Sequence, residues 1–341
     1  APAPTAIPVP TNPAPIPTAL PTPNIPPQNP TSHLKPIPQL SRWEQEMITY
    51  GRAHCELNKD FSRAFDPRLA GTYYDGELVF YKIYDYTGDP YWINCAQAAE
   101  ANYRDLYVLP NNGVVPGYWN FPLGLAQDYL RTGDNQSKNA AIKLSQNASF
   151  ARDNTQLYET ETCEASRETA YAIMSYLATE DLGQPRRARL ATLVNHALGH
   201  LNQWFVTKTC PYVKPFMVAL TAHSLIEYHS RTGDSRIIPA LTQAANEMWN
   251  MAWHPSTKSF LYMDRAYGAE TPYAAPDLNL LIAPFYAWVF HQTGDITARD
   301  RADAIFENGI INGYVLQPKQ FNQGYRWTFE FVNWRSIPAL R

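Results

Sequence analysis

Residues 78–90 of this 341-residue chain read LVFYKIYDYTGDP, a mostly apolar run that ends in Thr-Gly-Asp-Pro. The tripeptide Thr-Gly-Asp occurs three more times, and Asp-Leu-Gly-Gln at residues 181–184 stands near the middle of the longest gap. The glycines of these five segments fall at positions 88, 133, 183, 233 and 294. This spacing suits a repeat of two helices and two turns.

The chemistry of the tripeptide predicts a tight turn between two helices. Glycine adopts the left-handed conformation that ends a helix without the steric cost of a Cβ atom. The aspartate that follows accepts hydrogen bonds from the free N–H groups at the start of the next helix. Pro90, after the first of these aspartates, suits the first helical position, where a missing N–H costs nothing. We therefore assign Thr-Gly-Asp a structural role.

Helices of two kinds alternate about these turns. Those before each glycine are apolar around most of their circumference, which predicts burial, and those after it are amphipathic. The predicted inner helices span about residues 72–87, 118–131, 163–180, 213–231, 277–293 and 329–340. The predicted outer helices span about residues 41–58, 90–107, 135–151, 184–206, 235–252 and 296–311. The predicted fold class is therefore all-α, an (α/α)6 toroid of about six helical hairpins over residues 41–341.

With these turns and alternating helices, the chain resembles the six-hairpin glycosidase superfamily over about residues 41–341. The resemblance lies in the architecture and the repeated Thr-Gly-Asp turns, and not in a catalytic signature. Members of that superfamily are mostly glycoside hydrolases, polysaccharide lyases and sugar epimerases. The resemblance therefore implies a carbohydrate-active protein whose partner is a polysaccharide or oligosaccharide.

Residues 1–40 form a proline-rich arm ahead of the predicted barrel domain. Proline fixes φ and lacks an N–H, so polyproline II or extended chain is expected there. Two roles are open for the arm: a linker, or a docking segment that joins subunits into a homo-oligomer. The anchors for docking would be Ile7, Val9, Ile16, Leu20, Ile25 and Leu34.

The composition limits the partners and the compartment. A formal net charge of -3 without any run of Lys or Arg argues against nucleic acid. No apolar stretch approaches the roughly 20 residues that span a bilayer. The start at Ala1 without Met, together with four cysteines, indicates a mature secreted product, extracellular or periplasmic. Asn135 and Asn147 begin Asn-x-Ser patterns and are candidate glycosylation sites.

The long connections from outer to inner helices form the predicted binding face, because long loops on a rigid scaffold usually carry function. These loops are rich in aromatic side chains, whose faces can stack on sugars; packing inside the ring is the alternative. The candidate substrate-binding residues are Tyr74, Trp119, Glu168, Tyr212, Trp253, Tyr273 and Trp327.

Glycoside hydrolysis needs two carboxylates on opposite sides of the scissile bond. Asp75 and Glu164, near the starts of the first and third predicted inner helices, are the predicted catalytic pair. Asp277, at the start of the fifth, is the third candidate. Each has a structural alternative, since an aspartate there could cap the helix and a glutamate could complement its dipole.

Other chemistries have weaker signals. A polysaccharide lyase is the further alternative, with a tyrosine base and a neutralising cation: Tyr74 or Tyr273, and Arg265, Arg326 or Lys214. His196 and His200 have a spacing that can bind a metal, but no third ligand is evident, so we predict a surface pair. The sequence contains no phosphate loop or dinucleotide fingerprint. We therefore predict neither a cofactor nor a metal.

The four cysteines divide into two pairs with different expectations. Cys163 and Cys210 fall near the starts of neighbouring predicted inner helices, so we expect a disulfide. Cys55 lies near the end of the first predicted outer helix and Cys95 near the start of the second. On opposite faces of the ring they should not pair, and a bond between them would mean that residues 41–58 are misplaced.

Two functions of different classes follow. The first is a secreted glycoside hydrolase that acts on a polysaccharide, which the carboxylates and aromatic loops favour. The second is a structural or glycan-binding subunit of an extracellular assembly or filament held together by the arm. The proline-rich arm and the lack of a recognisable catalytic signature favour the second.

Overall fold

The chain is an all-α protein in the computed structural model, which describes residues 35–340. Residues 1–34 lie outside that range, and the predicted docking of the arm lies outside it with them. The helices are, in chain order, α1 (Leu40–Lys59), α2 (Phe65–Ala70), α3 (Gly76–Thr87), α4 (Tyr91–Glu100, continued as a π-helix over Ala101–Val108), α5 (Pro122–Thr132), α6 (Asn135–Asn147), α7 (Ser166–Asp181), α8 (Arg189–Phe205), α9 (Pro215–Thr232), α10 (Ile237–Ala252), α11 (Asn279–Thr293), α12 (Ile296–Asn312), α13 (Pro318–Tyr325) and α14 (Thr328–Ser336).

The four Thr-Gly-Asp segments are helix-to-helix turns, as predicted. Gly88 ends α3 at φ 70° and donates its N–H to the carbonyl of Tyr84 at 2.8 Å. Asp89 accepts a hydrogen bond from the N–H of Tyr91 at 2.9 Å. The threonine, to which we had given no role, donates its hydroxyl to the preceding turn and accepts the N–H of Asp89. The same hydrogen bonds of the glycine, the aspartate and the threonine are present at the other three turns.

The two predicted kinds of helix differ in burial as expected. Residues Asn279–His291 of α11 are buried without a break, and α7 and α9 are buried over most of their length. Helices α6, α8, α10 and α12 instead bury one face each. Helices α3, α5, α7, α9 and α11 pack in this order, each on the next, and α11 also packs on α14, which buries one face. Lys82 of α3 then forms an ion pair with Glu330 of α14.

The prediction for Cys55 and Cys95 was wrong, because they form a disulfide with a Cα–Cα distance of 5.0 Å. The predicted bounds of 41–58 for this helix were nearly right. The error concerns how far α1 is shifted along its axis relative to α4. Helices α1 and α4 run parallel, but Glu44 at the start of α1 already contacts Tyr86, before α4 begins. The second half of α1 therefore lies beside the first half of α4.

Other segments depart from the predicted loops. Helices α2 and α13 lie within stretches expected to be irregular, and a two-stranded antiparallel ribbon, β1 (Trp253–His254) and β2 (Ser259–Phe260), follows α10. Helix α14, which corresponds to the sixth predicted inner helix over residues 329–340, ends at Ser336, two residues before Pro338. None of the described helices is long and apolar enough to cross a membrane.

Candidate functional site

Aromatic side chains gather where the buried helices begin. We name two layers. The aromatic face comprises the exposed and half-buried rings of Tyr73, Tyr118, Trp119, Tyr212, Tyr262, Tyr267 and Tyr273. The buried floor comprises Tyr74, Asp75, Phe121, Tyr171, Arg326 and Trp327. Edge-to-face contacts join the layers, since the ring of Tyr73 lies 4.8 Å from Tyr74, 4.7 Å from Trp119 and 5.3 Å from Phe121.

Asp75 occupies the residue before α3, in a strained backbone. Tyr74 and Asp75 have φ of 63° and 64°, a conformation that costs a residue with a Cβ about 1–2 kcal/mol. The carboxylate makes no capping hydrogen bond to α3, although the nearby N–H of Leu78 helps to stabilise its charge. Oδ1 instead accepts the N–H of Gly124 at 3.1 Å. Asp75 therefore ties α3 to α5 in addition to its electrostatic contact with the start of α3.

The other oxygen of Asp75 faces Arg326. Oδ2 lies 3.7 Å from Nη2 of Arg326 and has no hydrogen-bond partner among the described residues. Burial raises the pKa of Asp75 to about 6, against the opposing effects of the Arg326 guanidinium and the N–H groups of Gly124 and Leu78. The carboxylate is thus buried, close to a cation and only partly satisfied.

Arg326 is equally unusual, because it is 1% exposed and two of its nitrogens lack partners. Nε and Nη1 have no acceptor within residues 35–340. The guanidinium carbon lies 4.6 Å from the ring centre of Trp327 and 5.4 Å from that of Phe121, so cation–π contacts replace part of the lost hydration. The hydroxyl of Tyr171, whose ring also flanks Arg326, is buried and unpartnered as well.

A second group of rings borders this floor at the starts of α9 and α11. Tyr262 and Tyr273 stack with ring centres 5.1 Å apart and planes 8° apart, and Tyr273 is 56% exposed. Lys214 lies over the rings of Tyr212 and Tyr262 and forms an ion pair with Glu270 at 2.8 Å. Burial, followed by the neighbouring Tyr73, raises the pKa of Tyr74.

The three predicted catalytic carboxylates lie in different environments. Asp75 is buried, Asp277 is half-buried with its pKa raised by burial, and Glu164 is exposed. Glu164 is close enough to Tyr212 to raise the pKa of that tyrosine, though burial is the larger cause. No direct contact joins Asp75 with either of the other two in the described structure.

The predicted substrate-binding residues divide into three sets. Trp119, Tyr212 and Tyr273 belong to the aromatic face, and Glu168 lies beside it in an ion pair with Arg167. Tyr74 and Trp327 are 5% and 7% exposed and belong to the floor, where Trp327 stacks on His223. Trp253 lies apart, because its ring stacks on Trp249 of α10 at 4.2 Å and contacts no ring of the face.

The disulfide predicted between Cys163 and Cys210 is present, with a Cα–Cα distance of 6.2 Å. It joins the segments just before α7 and α9, beside Glu164 and Tyr212. Of the glycosylation candidates, Asn135 is exposed at the start of α6. Asn147 is half-buried and donates its amide to the carbonyl of Asn112 at 2.7 Å. A cavity of about 670 Å³ is lined by Asn147 and Arg187, away from the aromatic face.

Two further expectations change in the structure. His196 and His200 are not a surface pair, because His200 is fully buried and both rings bind Thr160. The cations suggested for a lyase each lie near a carboxylate: Lys214 near Glu270, Arg265 near Asp264, and Arg326 near Asp75. Arg326 still has Nε and Nη1 without a partner among the described residues.

Four residues of the site were not among the predicted catalytic or substrate-binding residues of the hydrolase: Arg326, Tyr73, Tyr171 and Arg167. Arg326 and Asp75 are 251 positions apart, and nothing in the local pattern of either residue points to the other. The tyrosine pair at residues 73–74, next to the aspartate, was the available signal for Tyr73.

Comparisons with family models, with curated proteins and with solved structures find no match to this chain. The function must therefore be argued from the residues of the site.

Proposed function

We propose that this chain is a secreted carbohydrate-active protein, a glycoside hydrolase that binds a polysaccharide across the aromatic face. The observation that carries the proposal is the partly satisfied Asp75–Arg326 pair beneath that face. Buried polar groups normally have hydrogen-bond partners, so unpartnered ones need an explanation. Sugar hydroxyls donate and accept hydrogen bonds, and they would supply partners to Oδ2 of Asp75 and to the guanidinium of Arg326.

The proposal includes the closed ring of six hairpins. Its support is the packing order of the buried helices, which begins at α3 and reaches α14. The ion pair between Lys82 and Glu330 then brings the last buried helix to the first. In such a ring the starts of all buried helices would converge on one face, which is where the aromatic side chains lie.

Glycan binding is supported by the exposed rings. Tyr273, Tyr267 and Tyr118 are 56%, 50% and 40% exposed, so their rings are accessible to a ligand. The flat faces of tyrosine and tryptophan suit the C–H faces of sugar rings, and their polar edges keep hydrogen-bonding groups available. Lys214 and Glu270 would add polar contacts at the edge of the face.

Hydrolysis is supported by the carboxylates around the same face. We keep Asp75 and Glu164 as the proposed catalytic pair, with Asp277 as the third candidate. The left-handed backbone of Tyr74 and Asp75 fits a catalytic position, because strained conformations concentrate at functional sites.

Secretion is part of the proposal, and the two disulfides support it. Disulfides persist in oxidising compartments and are rare in the cytosol. Glycosylation at Asn135 and Asn147 and assembly through residues 1–40 are proposals of the same kind, which the arm's composition and the Asn-x-Ser patterns suggest.

The test is a polysaccharide panel, screened for both binding and release of reducing ends. Asp75→Asn keeps the shape of the side chain and should lower hydrolysis by about 10²-fold or more without abolishing binding. Asp85→Asn, an exposed position on the same helix, is the matched control, and circular dichroism melting checks the fold. Failure to bind any polysaccharide would overturn the whole proposal.

A non-catalytic glycan-binding subunit is the second candidate, and one observation favours it. Asp75 is only 3% exposed, and Tyr74 and Trp327, which belong to the same buried floor, are in ring contact with each other. Binding without hydrolysis in the panel, unaffected by Asp75→Asn, would select this candidate.

A further inference from the structure

Three carboxylates meet inside the protein where three helices pack together. They are Glu77 of α3, Glu100 of α4 and Asp128 of α5, which are 2%, 4% and 2% exposed. One oxygen from each lies within 4.8 Å of an oxygen from each of the others. Like charges this close inside a protein repel strongly unless something neutralises them.

The carboxylate of Glu77 is the least satisfied of the three. Both of its oxygens are buried and have no hydrogen-bond partner in the described part of the chain. Glu100 accepts from the hydroxyl of Ser137 at 2.6 Å, and Asp128 accepts from the hydroxyl of Tyr81 at 2.7 Å. Glu77 therefore points into the cluster with two oxygens free to bind a ligand.

The charges of the cluster do not balance. Arg104, in the π-helical segment, contacts Glu100 and lies 4.0 Å from Asp128. It also pairs with Asp105 and Asp134, so its single charge is shared. Three carboxylates and one guanidinium leave two negative charges, which is the charge that one divalent cation neutralises.

We propose that Glu77, Glu100 and Asp128 bind a divalent cation, calcium by preference. The donors are all oxygens, which calcium and magnesium prefer, whereas zinc and copper prefer sets with nitrogen or sulfur. Calcium–oxygen distances of about 2.3–2.6 Å place opposite ligands about 5 Å apart. The three carboxylate oxygens all lie within 4.8 Å of one another, so a single ion between them can reach all three. The cation would fasten α3, α4 and α5 to one another.

A proton is the competing occupant. Burial, followed by the nearby charges of Asp75 and Asp128, raises the pKa of Glu77 well above its ordinary value. A neutral Glu77 would also relieve the repulsion, but it would not respond to metal ions. The two occupants therefore make opposite predictions about chelation.

The experiment uses the full chain, freed of metal with EDTA and then titrated with CaCl₂ or MgCl₂ during thermal unfolding. We expect calcium to raise Tm by several degrees in the wild type and in Asp85→Asn, and to leave Tm unchanged in Glu77→Gln and Asp128→Asn. No response to either ion in the wild type, with Glu77→Gln as stable as the parent, would overturn the proposal in favour of the proton.

The main outcome of a second measurement needs only the wild-type protein. Terbium replaces calcium in oxygen sites, and Tyr81, bound to Asp128, is placed to sensitise its emission. Excitation of tyrosine in the wild type should give terbium luminescence that calcium displaces. Absence of this luminescence, or its persistence in a folded Glu77→Gln protein, would contradict the site.

Discussion

His200 shows how one buried side chain couples stability to pH. Its ring is fully buried, Nε2 donates to the carbonyl of Thr160 at 2.9 Å, and Nδ1 has no partner among the described residues. Burial lowers the pKa of His200 to about 4. Between about pH 6.5 and pH 4, His200 therefore binds a proton in the unfolded chain but not in the folded protein.

We expect the free energy of unfolding to fall as the pH drops from 6.5 towards 4, and His200→Gln to remove part of this fall. The difference between the two proteins at pH 4 should be at most about 3 kcal/mol, since each unit of pKa shift is worth about 1.4 kcal/mol. Urea unfolding across this pH range measures it. His254→Gln, at an exposed histidine, is the control and should follow the wild type.

Single residues also mark the limit of sequence reasoning. The position of Asp75 at the start of an inner helix was predictable, because the repeat is local. Its burial against Arg326 was not, because that contact depends on α14 returning to α3 from the far end of the chain. Trp253 lies apart from the aromatic face for a local reason, since α10 offers Trp249 as a nearby stacking partner.

At the scale of elements, the Thr-Gly-Asp turns show why the helix pattern was so readable. The glycine, the cap and the threonine hydroxyl all bond within four residues, so each turn is determined by its own sequence. The position of α1 along its axis is not determined by its own sequence, because it depends on packing against α4 and α14. That is why the helix bounds were predicted closely and the Cys55–Cys95 bond was not.

A pair of glycine substitutions separates backbone strain from packing. A Cβ atom meets nothing within 4 Å at either Gly88 or Gly199, but only Gly88 has a positive φ, of 70°. We expect Gly88→Ala to lower the free energy of unfolding by about 1–2 kcal/mol. Gly199→Ala, inside α8, should raise it by about 0.5–1 kcal/mol. Chemical denaturation measures both, and equal effects would contradict the assigned turn geometry.

The Cys55–Cys95 disulfide closes a loop over a sequence separation of 40 and joins α1 to α4. In the chain-entropy description a loop of this length is worth about 4 kcal/mol. The double variant Cys55→Ser, Cys95→Ser should therefore unfold at clearly lower denaturant concentration. An unchanged midpoint would mean that the crosslink gains nothing from restricting the unfolded chain.

At the scale of the whole molecule, the compact unit that contains the helices begins at Leu34. Ile37 packs against the core, and the carbonyl of Lys35 accepts from Arg335 at 3.5 Å. The boundary between arm and barrel, predicted near residue 40, is thus best tested by a cut before Leu34.

A chain that lacks residues 1–33 should keep its helix content and unfold cooperatively, because the described helices and the core residues packed between them all lie after the cut. Light scattering of the full and shortened chains tests the arm as a connector. Assembly of the full chain alone would support the structural subunit, and equal monomers would leave the arm as a linker. Unfolding of the shortened chain would show that residues 1–33 belong to the core.

The π-helical segment Ala101–Val108 makes the number of residues in α4 as important as their identity. A π-helical turn holds one residue more than an α-helical turn, and π-turns are frequent at functional sites. Removing one residue within this turn would restore the α-helix and leave the side chains beyond it facing as they do now, because the π-turn accommodates one extra residue. A residue removed between Glu100 and Arg104 would also change the spacing at which these two side chains meet. In an alignment with relatives, loss of the carboxylate cluster should therefore coincide with a one-residue gap at this turn.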